Sequence, residues 1–460
     1  MPGIYISAAH KSSGKTTVML GLVRALHEKG LAVSPFKKGP DYIDPAWAAR
    51  AAGRSCYNLD FYTSTEAEIR ALFSSSSSGA DIAVIEGNKG LYDGMDVNGS
   101  DSNAALAKLL DVPVVLVIDT MGMTRGIAPL LIGYQHFDTE VRIGGIILNR
   151  VGGPRHEAKL IESIEQYTDI PVLGAIPRFR GNMIEERHLG LVPAQEDRAA
   201  DETIARLANT VRDHVDLDRV IALAQTAGSP NSLETVTAPE VLALDRPLRI
   251  GIARDEAFGF YYADDLERFL AHGVELVWLD MIRDRALPDL DGLFIGGGFP
   301  ETAMKALSEN VSMRDSVRRA IENGLPTYAE CGGLMYLSRS ISWNGATAEM
   351  VGVIPGHVTM SQRPHGRGYI QLRETSASPW PGREEGRAIA GHEFHYSELQ
   401  NLPPDVTFAY KVLRGTGIAN GHDGFVYKNL LASYAHLRDA EQNHWVDRFL
   451  TFVAQAGRFE

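Results

Sequence analysis

The stretch AAHKSSGKTT, residues 8–17, places lysines and two threonines between a predicted strand and a predicted helix. In that setting backbone amides and the helix N-terminus attract phosphate oxygens, Lys15 can reach the terminal phosphates, and Thr16 can offer its hydroxyl to Mg²⁺. Ala9 replaces the first glycine of the usual G-x-x-x-x-G-K-[ST] pattern. The alternative is a Gly-Lys pair at an ordinary helix start, but the strand–loop–helix placement favours an ATP site. The predicted nucleotide contacts are Gly14, Lys15, Thr16 and Thr17.

Two further segments carry charged residues that suit the same site. FKKGPDYIDP, residues 36–45, follows the second predicted strand and holds two lysines and two aspartates. IEGNKGLYDG, residues 85–94, places Glu86 at the carboxyl end of a strand, where ligands bind in open parallel sheets. Carboxylates there suit Mg²⁺, which prefers oxygen ligands. The alternatives are a solvated charge pair for Lys37 and Lys38, and a helix cap or surface ion pair for Glu86.

A second group of reactive residues surrounds Cys331, one of two cysteines in 460 residues. LPTYAE reads as a strand and GLMYLSRS as the start of a helix, so the thiol lies at a sharp strand-to-helix turn. This is the geometry of a nucleophile elbow, and a helix N-terminus would lower the pKa of the thiol. GGGFPE, residues 296–301, offers backbone amides for an oxyanion hole, and His436 in ASYAHLR offers a base. The alternative is a buried cysteine at an ordinary turn.

The elements that must position these residues follow an α/β pattern in both halves of the chain. In the first half short apolar strands alternate with helices, which predicts a mostly parallel sheet covered on both faces. The serine-rich segment 73–80 reads as an exposed loop. After a stretch rich in Pro, Ser and Thr, a second α/β series begins. The predicted division is a nucleotide-binding domain over 1–224, a linker over 225–247 and a thiol-bearing domain over 248–460.

Composition limits the classes of function. A net charge of -13 argues against duplex nucleic acid as the main partner, because backbone binding needs a basic surface. Two distant cysteines, Cys56 and Cys331, give neither a disulfide framework nor a zinc spacing, and Cys56 reads as structural. The first residues lack the basic and apolar regions of a signal peptide, and the apolar runs are too short to cross a bilayer. We expect a cytoplasmic protein with no membrane or nucleic-acid partner.

Several long motifs occur in order across nearly the whole chain: KSSGKTT, KKGPDYIDP, EGNKGLYDG, AECGGLMYL, GHEFHYS and SYAHL. Together they resemble the glutamine-dependent cobyrinic acid a,c-diamide synthase family. The resemblance implies an α/β fold with an N-terminal P-loop NTPase domain, similar to dethiobiotin synthetase, and a C-terminal class I glutamine amidotransferase domain. It also implies an ATP-dependent carbon–nitrogen ligase that takes ammonia from L-glutamine and, by family analogy, forms a homodimer.

The resemblance also assigns roles to residues of this chain. ATP would activate a tetrapyrrole carboxylate as an acyl phosphate, with Lys15 and Mg²⁺ neutralising the phosphate charge. Cys331 would attack glutamine with His436 as base and then acid, and the released ammonia would replace the phosphate. The implied magnesium ligands are Thr16, Asp41 and Glu86, with Lys37 at the nucleotide and Asn149 near the adenine. The implied oxyanion-hole residues are Gly297, Gly298 and Gly332. The implied substrate contacts are Lys38, Asp44, Lys89 and Tyr92.

Two features depart from simple expectations. Triad-type amidotransferases carry Glu two residues after the catalytic histidine, and Arg438 stands there in this chain. The site therefore resembles a Cys-His pair, oriented by a backbone carbonyl or another side chain. GHEFHYSE, residues 391–398, clusters His392, Glu393 and His395, but its H-E-x-H spacing and extended pattern suit joint metal ligation poorly. Domain contact or substrate placement is preferred over a metal site.

The substrate prediction depends on two lysines. Lys38 and Lys89 stand where cobyrinic acid synthases usually have a small and a hydrophobic residue, respectively. They favour the branch that amidates sirohaem or a sirohydrochlorin-type substrate beside dissimilatory sulfite reductase. The alternatives are cobyrinic or hydrogenobyrinic acid, and nickel-sirohydrochlorin. Two other classes of function stay open: an ATPase scaffold with an inactive amidotransferase module, and a stand-alone glutaminase.

Overall fold

The computed structural model of the protein describes residues 1–178, 186–187, 190–193, 199–228, 241–383 and 386–456. The chain folds into two compact units, Met1–Thr237 and Ala238–Glu460. The predicted linker, 225–247, lies partly outside the described residues, since 229–240 are not among them. Within the described ranges no helix is long and apolar enough to cross a membrane.

Seven strands of the first unit form one parallel sheet, and most are buried along nearly their whole length. Burial of this kind is expected when both faces of a parallel sheet are covered. The strands are β1 Gly3–Ala8, β2 Val33–Lys38, β3 Tyr57–Leu59, β4 Ile82–Glu86, β5 Val114–Asp119, β6 Ile143–Val151 and β7 Val172–Pro177. Their order is β3-β2-β4-β1-β5-β6-β7. A separate short pair follows, β8 Glu186–Arg187 and β9 Gly190–Leu191.

Among the described residues of the first unit, eight helices connect and follow these strands. The first buries Met19, Leu22, Val23 and Leu26, whose helical spacing predicts one apolar face. The helices are α1 Lys15–Glu28, α2 Ile43–Ala52, α3 Glu66–Ser76, α4 Asn103–Leu109, α5 Ile127–Phe137, α6 Pro154–Tyr167, α7 Ala200–His214 and α8 Leu217–Ala224.

The serine-rich segment differs from its prediction as an exposed loop. Residues up to Ser76 belong to α3, and Ser76 and Ser77 are buried. The helix begins at a capping box in which Thr65 and Glu68 exchange hydrogen bonds, and the Ser76 carbonyl accepts from the Ser34 hydroxyl of β2 at 2.9 Å. Capping and contact with the sheet therefore outweigh the weak helix propensity of serine.

The second unit is built around a nine-stranded mixed sheet. The strands of the unit are β10 Arg249–Ala253, β11 Phe258–Phe260, β12 Glu275–Leu279, β13 Gly292–Ile295, β14 Gly297–Gly298, β15 Thr327–Glu330, β16 Ser340–Trp343, β17 Ala346–Glu349, β18 His357–Met360, β19 Gly366–Glu374, β20 Ala388–His395, β21 Ser397–Gln400, β22 Thr407–Arg414, β23 His422–Tyr427 and β24 Leu430–Ser433. The large sheet has the order β12-β10-β13-β15-β24-β23-β22-β19-β20. It is parallel from β12 to β24 and antiparallel from β24 to β20. A four-stranded sheet, β17-β16-β18-β21, and the pair β11-β14 complete the unit.

Aromatic rings pack between the helices and the parallel part of this sheet. The helices are α9 Ala263–Ala271, α10 Met304–Glu309, α11 Val311–Glu322, α12 Gly332–Leu337 and α13 Trp445–Ala456. Phe269 of α9 meets Trp445 of α13 edge to face, with ring centroids 5.7 Å apart. Phe294 of β13 stacks on Tyr328 of β15 at 5.3 Å. These rings form much of the hydrophobic core on that side of the sheet.

We expect Phe269→Ala to lower the free energy of unfolding by about 3–5 kcal/mol, because it removes a fully buried ring. The neighbouring Leu270 is 55% exposed, so Leu270→Ala provides a matched control with an expected change within about 0.5 kcal/mol. Urea unfolding followed by tryptophan fluorescence measures both. Equal effects of the two substitutions would contradict the assignment of the core face.

Candidate active sites

The phosphate-binding loop runs from β1 to α1 and is braced by two side chains. Gly14 has a left-handed backbone, φ 85° and ψ 23°, which favours glycine, and a Cβ atom there would lie 2.3 Å from Asn149 Nδ2. Asn149 Nδ2 donates to the Ser13 carbonyl at 2.9 Å, and the Thr17 hydroxyl donates to the Gly14 carbonyl at 2.8 Å. The structure therefore places Asn149, expected near the adenine, against the loop itself.

Lysines at this site are buried, unlike the solvated charge pair considered for Lys37 and Lys38. Lys37 Nζ lies 2.5 Å from Asp44 Oδ2, 3.2 Å from Glu86 Oε2 and 3.9 Å from Asp41 Oδ2. Burial alone would lower the pKa of Lys37, but these carboxylates outweigh it and raise the pKa. Lys37 thus holds the acidic residues together.

Burial dominates at Lys15, the first residue of α1, and lowers its pKa, although the Glu86 carboxylate opposes the shift. A lysine that loses hydration in this way gains more from an anionic partner than an exposed lysine does. Its place at the start of the helix suits a phosphate group of a nucleotide.

The donors around Thr16 fit a magnesium ion, with one change to the expected ligand set. The Thr16 hydroxyl donates to Glu86 Oε1 at 2.6 Å and lies 3.5 Å from Asp44 Oδ2. Asp41 instead caps α2, because its Oδ1 accepts from the Ile43 amide at 2.9 Å and the Asp44 amide at 3.2 Å. Thr16, Asp44 and Glu86 are therefore the better-placed set of oxygen donors.

The charges of this group support the same fit. Three carboxylates face the Lys37 ammonium, and burial with the neighbouring Asp44 charge raises the pKa of Asp41 to about 7. Burial is also the main cause that raises the pKa of Glu86. A divalent cation would relieve this excess of negative charge. In the part of the chain described, no cluster of three or more His, Cys, Asp or Glu forms a metal cage, whereas Mg²⁺ needs only one or two carboxylates beside phosphates and water.

Asn103, which the sequence patterns did not indicate, organises the loop after β4. Its Nδ2 donates to the Gly90 carbonyl at 2.6 Å, and its Oδ1 accepts from the Tyr5 hydroxyl at 2.9 Å and the Asn88 amide at 3.1 Å. The side chain is fully buried. An Asn at the start of α4 was the only sequence signal, and it does not reveal contacts with residues so distant along the chain.

The residues expected to contact substrate differ in exposure. Lys38 is buried, and that burial lowers its pKa despite the opposing Asp60 and Asp101 charges. Lys89 is exposed on the loop after β4. The Tyr92 hydroxyl donates to the Tyr134 carbonyl at 2.6 Å, so this ring is held within the first unit.

The nucleophile turn of the second unit has the strained backbone expected of an elbow. Cys331 has φ 46° and ψ -98°, lies between β15 and α12, and donates its amide to the Ser433 carbonyl at 2.7 Å. A Cβ atom on Gly333 would lie 2.2 Å from the Ile295 carbonyl oxygen, so only glycine fits. A Cβ atom on Gly332 would lie 2.9 Å from the Gly298 amide nitrogen, which places β14 beside the turn.

His436 lies beside the Cys331 turn and β14. A Cβ atom on Gly297 would be 2.5 Å from His436 Cε1, so the imidazole rests against β14. His436 Nδ1 is 3.3 Å from Glu330 Oε2, on the residue before Cys331. The structure thus brings together the predicted thiol turn, the predicted oxyanion-hole glycines and the predicted base, and adds a carboxylate that the sequence reasoning missed.

The pKa of the thiol differs from the expectation of a lowered value. Burial, with the Glu301 and Glu330 carboxylates, raises the pKa of Cys331 well above the ordinary range. The helix that follows has only six residues, Gly332–Leu337, so its N-terminus offers little compensation. The resting nucleophile is therefore a neutral thiol that must lose its proton to a base.

Arg438 stands two residues after His436, where triad-type amidotransferases have a glutamate. Its side chain contacts Asp264 and Tyr262. Its Nη2 lies 2.7 Å from Asp264 Oδ2, and its guanidinium lies over the Tyr262 ring at 5.2 Å. The Tyr262 hydroxyl is 3.3 Å from His392 Nδ1. His392 in turn stacks on His436, with ring centroids 4.7 Å apart. Arg438 therefore reaches the stacked rings of His392 and His436 through the Tyr262 side chain.

Glu393 and His395, the remaining polar members of the GHEFHYS motif, face each other, with His395 Nε2 3.7 Å from Glu393 Oε2, and each has further partners. Glu393 accepts from the Thr416 amide at 2.7 Å and the Gly417 amide at 2.9 Å. His395 Nδ1 donates to the Ser397 carbonyl at 2.8 Å, and its ring stacks on Tyr434 at 3.8 Å. These contacts give Glu393 and His395 packing roles. The His395 ring lies against Tyr434, which follows Ser433, the residue that accepts from the Cys331 amide.

We expect alkylation of Cys331 by iodoacetamide to be slow near pH 7 and to rise about tenfold per pH unit through pH 9, because the reactive thiolate is scarce. A Cys56→Ser background leaves Cys331 as the single thiol, and the urea-unfolded chain provides the reference rate. Restricted access would slow the reaction equally at every pH. A plateau below pH 8 would contradict the raised pKa.

Both units match known families. Residues 2–182 match the family described as AAA domain, and residues 249–443 match the CobB/CobQ-like glutamine amidotransferase domain. Cobyrinate a,c-diamide synthase from Magnetococcus marinus is 46% identical over 462 residues, covering 100% of this chain and 98% of that protein. Proteins of the same name from Methanosarcina acetivorans and Archaeoglobus fulgidus are 41% and 38% identical, covering 100% and 98% of this chain and 96% and 97% of theirs. A solved glutamine amidotransferase aligns with 45% of this chain and 98% of its own, at a TM-score of 0.31 and 19% identity.

The predicted fold is confirmed, with an ATP-binding P-loop domain followed by a glutamine amidotransferase domain. The prediction of an ATP-dependent carbon–nitrogen ligase with glutamine as amido donor is confirmed as well. The similarity extends over both units and over nearly the full length of the relatives. This chain belongs to the cobyrinate a,c-diamide synthase family.

Proposed function

We propose that this enzyme converts the a and c acetate carboxylates of cobyrinate to amides, with ATP as activator and glutamine as nitrogen donor. The observation that carries the proposal is the full-length similarity to three proteins named cobyrinate a,c-diamide synthase, the first at 46% identity. This similarity favours cobyrinate, an alternative in the substrate prediction, over sirohaem. The lysines that suggested sirohaem do not oppose this, since Lys38 and Lys89 suit the carboxylates of any such tetrapyrrole.

In the first unit the substrate carboxylate would attack the γ-phosphoryl group of ATP, giving an acyl phosphate and ADP. This transfer is governed by positioning and charge neutralisation. Lys15 and the amides at the start of α1 would face the phosphates, and the hydrogen bonds of Asn149 and Thr17 hold the shape of the loop. Mg²⁺ held by Thr16, Asp44 and Glu86 would supply further neutralisation of phosphate charge.

In the second unit Cys331 would pass its proton to His436 and attack the side-chain carbonyl of glutamine. The amides of Gly298 and Gly332 would bind the resulting oxyanion, and the close approach of Gly332 to the Gly298 amide nitrogen supports this role. His436 then returns the proton to the departing ammonia, and water hydrolyses the glutamyl thioester to glutamate. Ammonia would displace phosphate from the activated carboxylate and leave an amide.

We expect mass spectrometry to show two amidations, each a loss of about 1 Da, when cobyrinate is incubated with ATP, Mg²⁺ and glutamine. Sirohaem and hydrogenobyrinate serve as competing acceptors. Cys331→Ser should abolish glutamine-driven amidation while added ammonia still supports it, because only the nucleophile is lost. Lys15→Ala should abolish both.

Each rival class gives a different result in that experiment. A Cys331→Ser variant with intact glutamine-driven amidation would overturn the assigned nucleophile. Glutamate release that is independent of ATP and of Lys15, with no amidated acceptor, would favour a stand-alone glutaminase. Amidation of sirohaem but not cobyrinate would restore the first substrate prediction. A homodimer and a cytoplasmic location stay predictions, and light scattering tests the first.

Substitution of the two loop aspartates tests the magnesium ligands. We expect Asp44→Asn to raise the Mg²⁺ concentration for half-maximal ammonia-driven activity about tenfold, because it removes a carboxylate beside Thr16. Asp41→Asn is the matched control, since the amide oxygen can still cap α2, and its shift should be below about threefold. A larger shift for Asp41→Asn would return that residue to the ligand set.

A further inference from the structure

A buried carboxylate adjoins the catalytic histidine on the strand that carries the nucleophile. Glu330 Oε2 is 3.3 Å from His436 Nδ1, and both side chains are almost completely buried. We propose that Glu330 is the positioning acid of His436, and that it replaces the glutamate which triad-type amidotransferases carry two residues after the histidine. The proposal rests on the glutamine-hydrolysing half of the proposed function and is independent of the acceptor.

Two hydrogen bonds fix the Glu330 carboxylate in this orientation. Its Oε1 accepts from the Tyr328 hydroxyl at 2.6 Å and from the Leu437 amide at 2.9 Å. Because Leu437 directly follows His436, the second bond fixes the backbone of the histidine segment relative to the carboxylate. The other oxygen, Oε2, is thereby directed at the imidazole.

The opposite face of the imidazole is also held. His392 stacks on His436 with an angle of 13° between the rings, and the two residues exchange backbone hydrogen bonds of 3.2 Å and 2.8 Å. Burial, together with the neighbouring His436, lowers the pKa of His392 well below its ordinary value. His392 therefore stays neutral.

This arrangement determines which atoms carry the proton during glutamine hydrolysis. The Glu330 carboxylate, 3.3 Å from Nδ1, favours the tautomer that carries its proton on Nδ1, which leaves Nε2 to accept the proton of the Cys331 thiol as the carbon–sulfur bond forms. The imidazolium that results is stabilised by the Glu330 charge until its proton leaves with ammonia. Arg438 has no part in this, since its guanidinium is engaged by Asp264.

Glu330→Gln tests the proposal with little change in shape, because the amide oxygen can keep the bonds to Tyr328 and Leu437. The amide NH₂ would instead face Nδ1 and favour the wrong tautomer. We expect the kcat of glutamine-dependent glutamate release to fall about 10²- to 10⁴-fold, with the KM for glutamine changed less than about threefold, because substrate contacts are untouched. The acid limb of the kcat/KM profile should move about one pH unit lower, because the imidazolium loses a stabilising charge.

Two variants serve as controls. Glu374→Gln removes another buried carboxylate of the same unit, which pairs with Arg448 at 2.7 Å, and should leave kcat and the acid limb as in the parent enzyme. Glu330→Asp keeps the charge but shortens the side chain, and should lower kcat while the acid limb stays in place. Ammonia-driven amidation should persist in all three, because it uses only the first unit, and an unfolding curve like that of the parent enzyme verifies that the second unit is folded.

The outcomes separate this proposal from the proposed function. A Glu330→Gln enzyme with kcat within about threefold of the parent, or one whose kcat falls without a shift of the acid limb, would overturn the role of Glu330. If Glu330→Gln yields no folded protein, Glu330→Asp decides: a lowered kcat with an unmoved acid limb supports the proposal, and an unchanged kcat or a shifted limb overturns it. Failure of the parent enzyme to release glutamate would instead count against the proposed function.

Discussion

Parallel strands that end at a common edge are the constraint on which both sites depend. In the first unit β2, β4 and β1 are neighbours, so the loops after them bring the phosphate-binding loop, the lysines and Glu86 together. In the second unit β13, β15 and β24 are neighbours, and they lead into the amide-rich segment, the thiol turn and the histidine. Groups separated by roughly 100 residues therefore meet without long loops, as parallel α/β sheets generally allow.

Neither site has balanced charges before its reactants bind. The first site has an excess of negative charge, and the second has an uncharged thiol. The first holds three carboxylates around Lys37, an excess of negative charge that is unfavourable when buried unless a cation joins it. The second holds a neutral thiol among carboxylates, which becomes a good nucleophile only when an imidazolium forms beside it. Each site thus lacks a balanced charge until its reactants are in place.

Local patterns predicted the loops, whereas the partners of the side chains required the fold. The glycine-rich turn at Gly14 and the elbow at Cys331 are encoded within about ten residues, so strand periodicity and small residues suffice to find them. Glu330 was read as part of a strand, because its proximity to His436 depends on the pairing of β15 with β24. The high pKa of the thiol escaped prediction because it arises from burial and from a very short helix.

The two backbone hydrogen bonds that His392 and His436 exchange also have a consequence for folding. β20 is four positions from β24 in the strand order, yet His392 of β20 hydrogen-bonds the segment that follows β24, so the antiparallel half of the sheet must curl back on itself. The chain between His392 and His436 is shorter than the chain between the paired residues Thr327 and Leu430, so these bonds cost less loop-closure entropy than the pairing of β15 with β24. A chain that lacked β20 would keep the pairing of β15 with β24 but would lose the two backbone hydrogen bonds that hold the His436 segment to His392. The position of His436 therefore depends on the far edge strand of the sheet, β20, as well as on the strand that precedes it, β24.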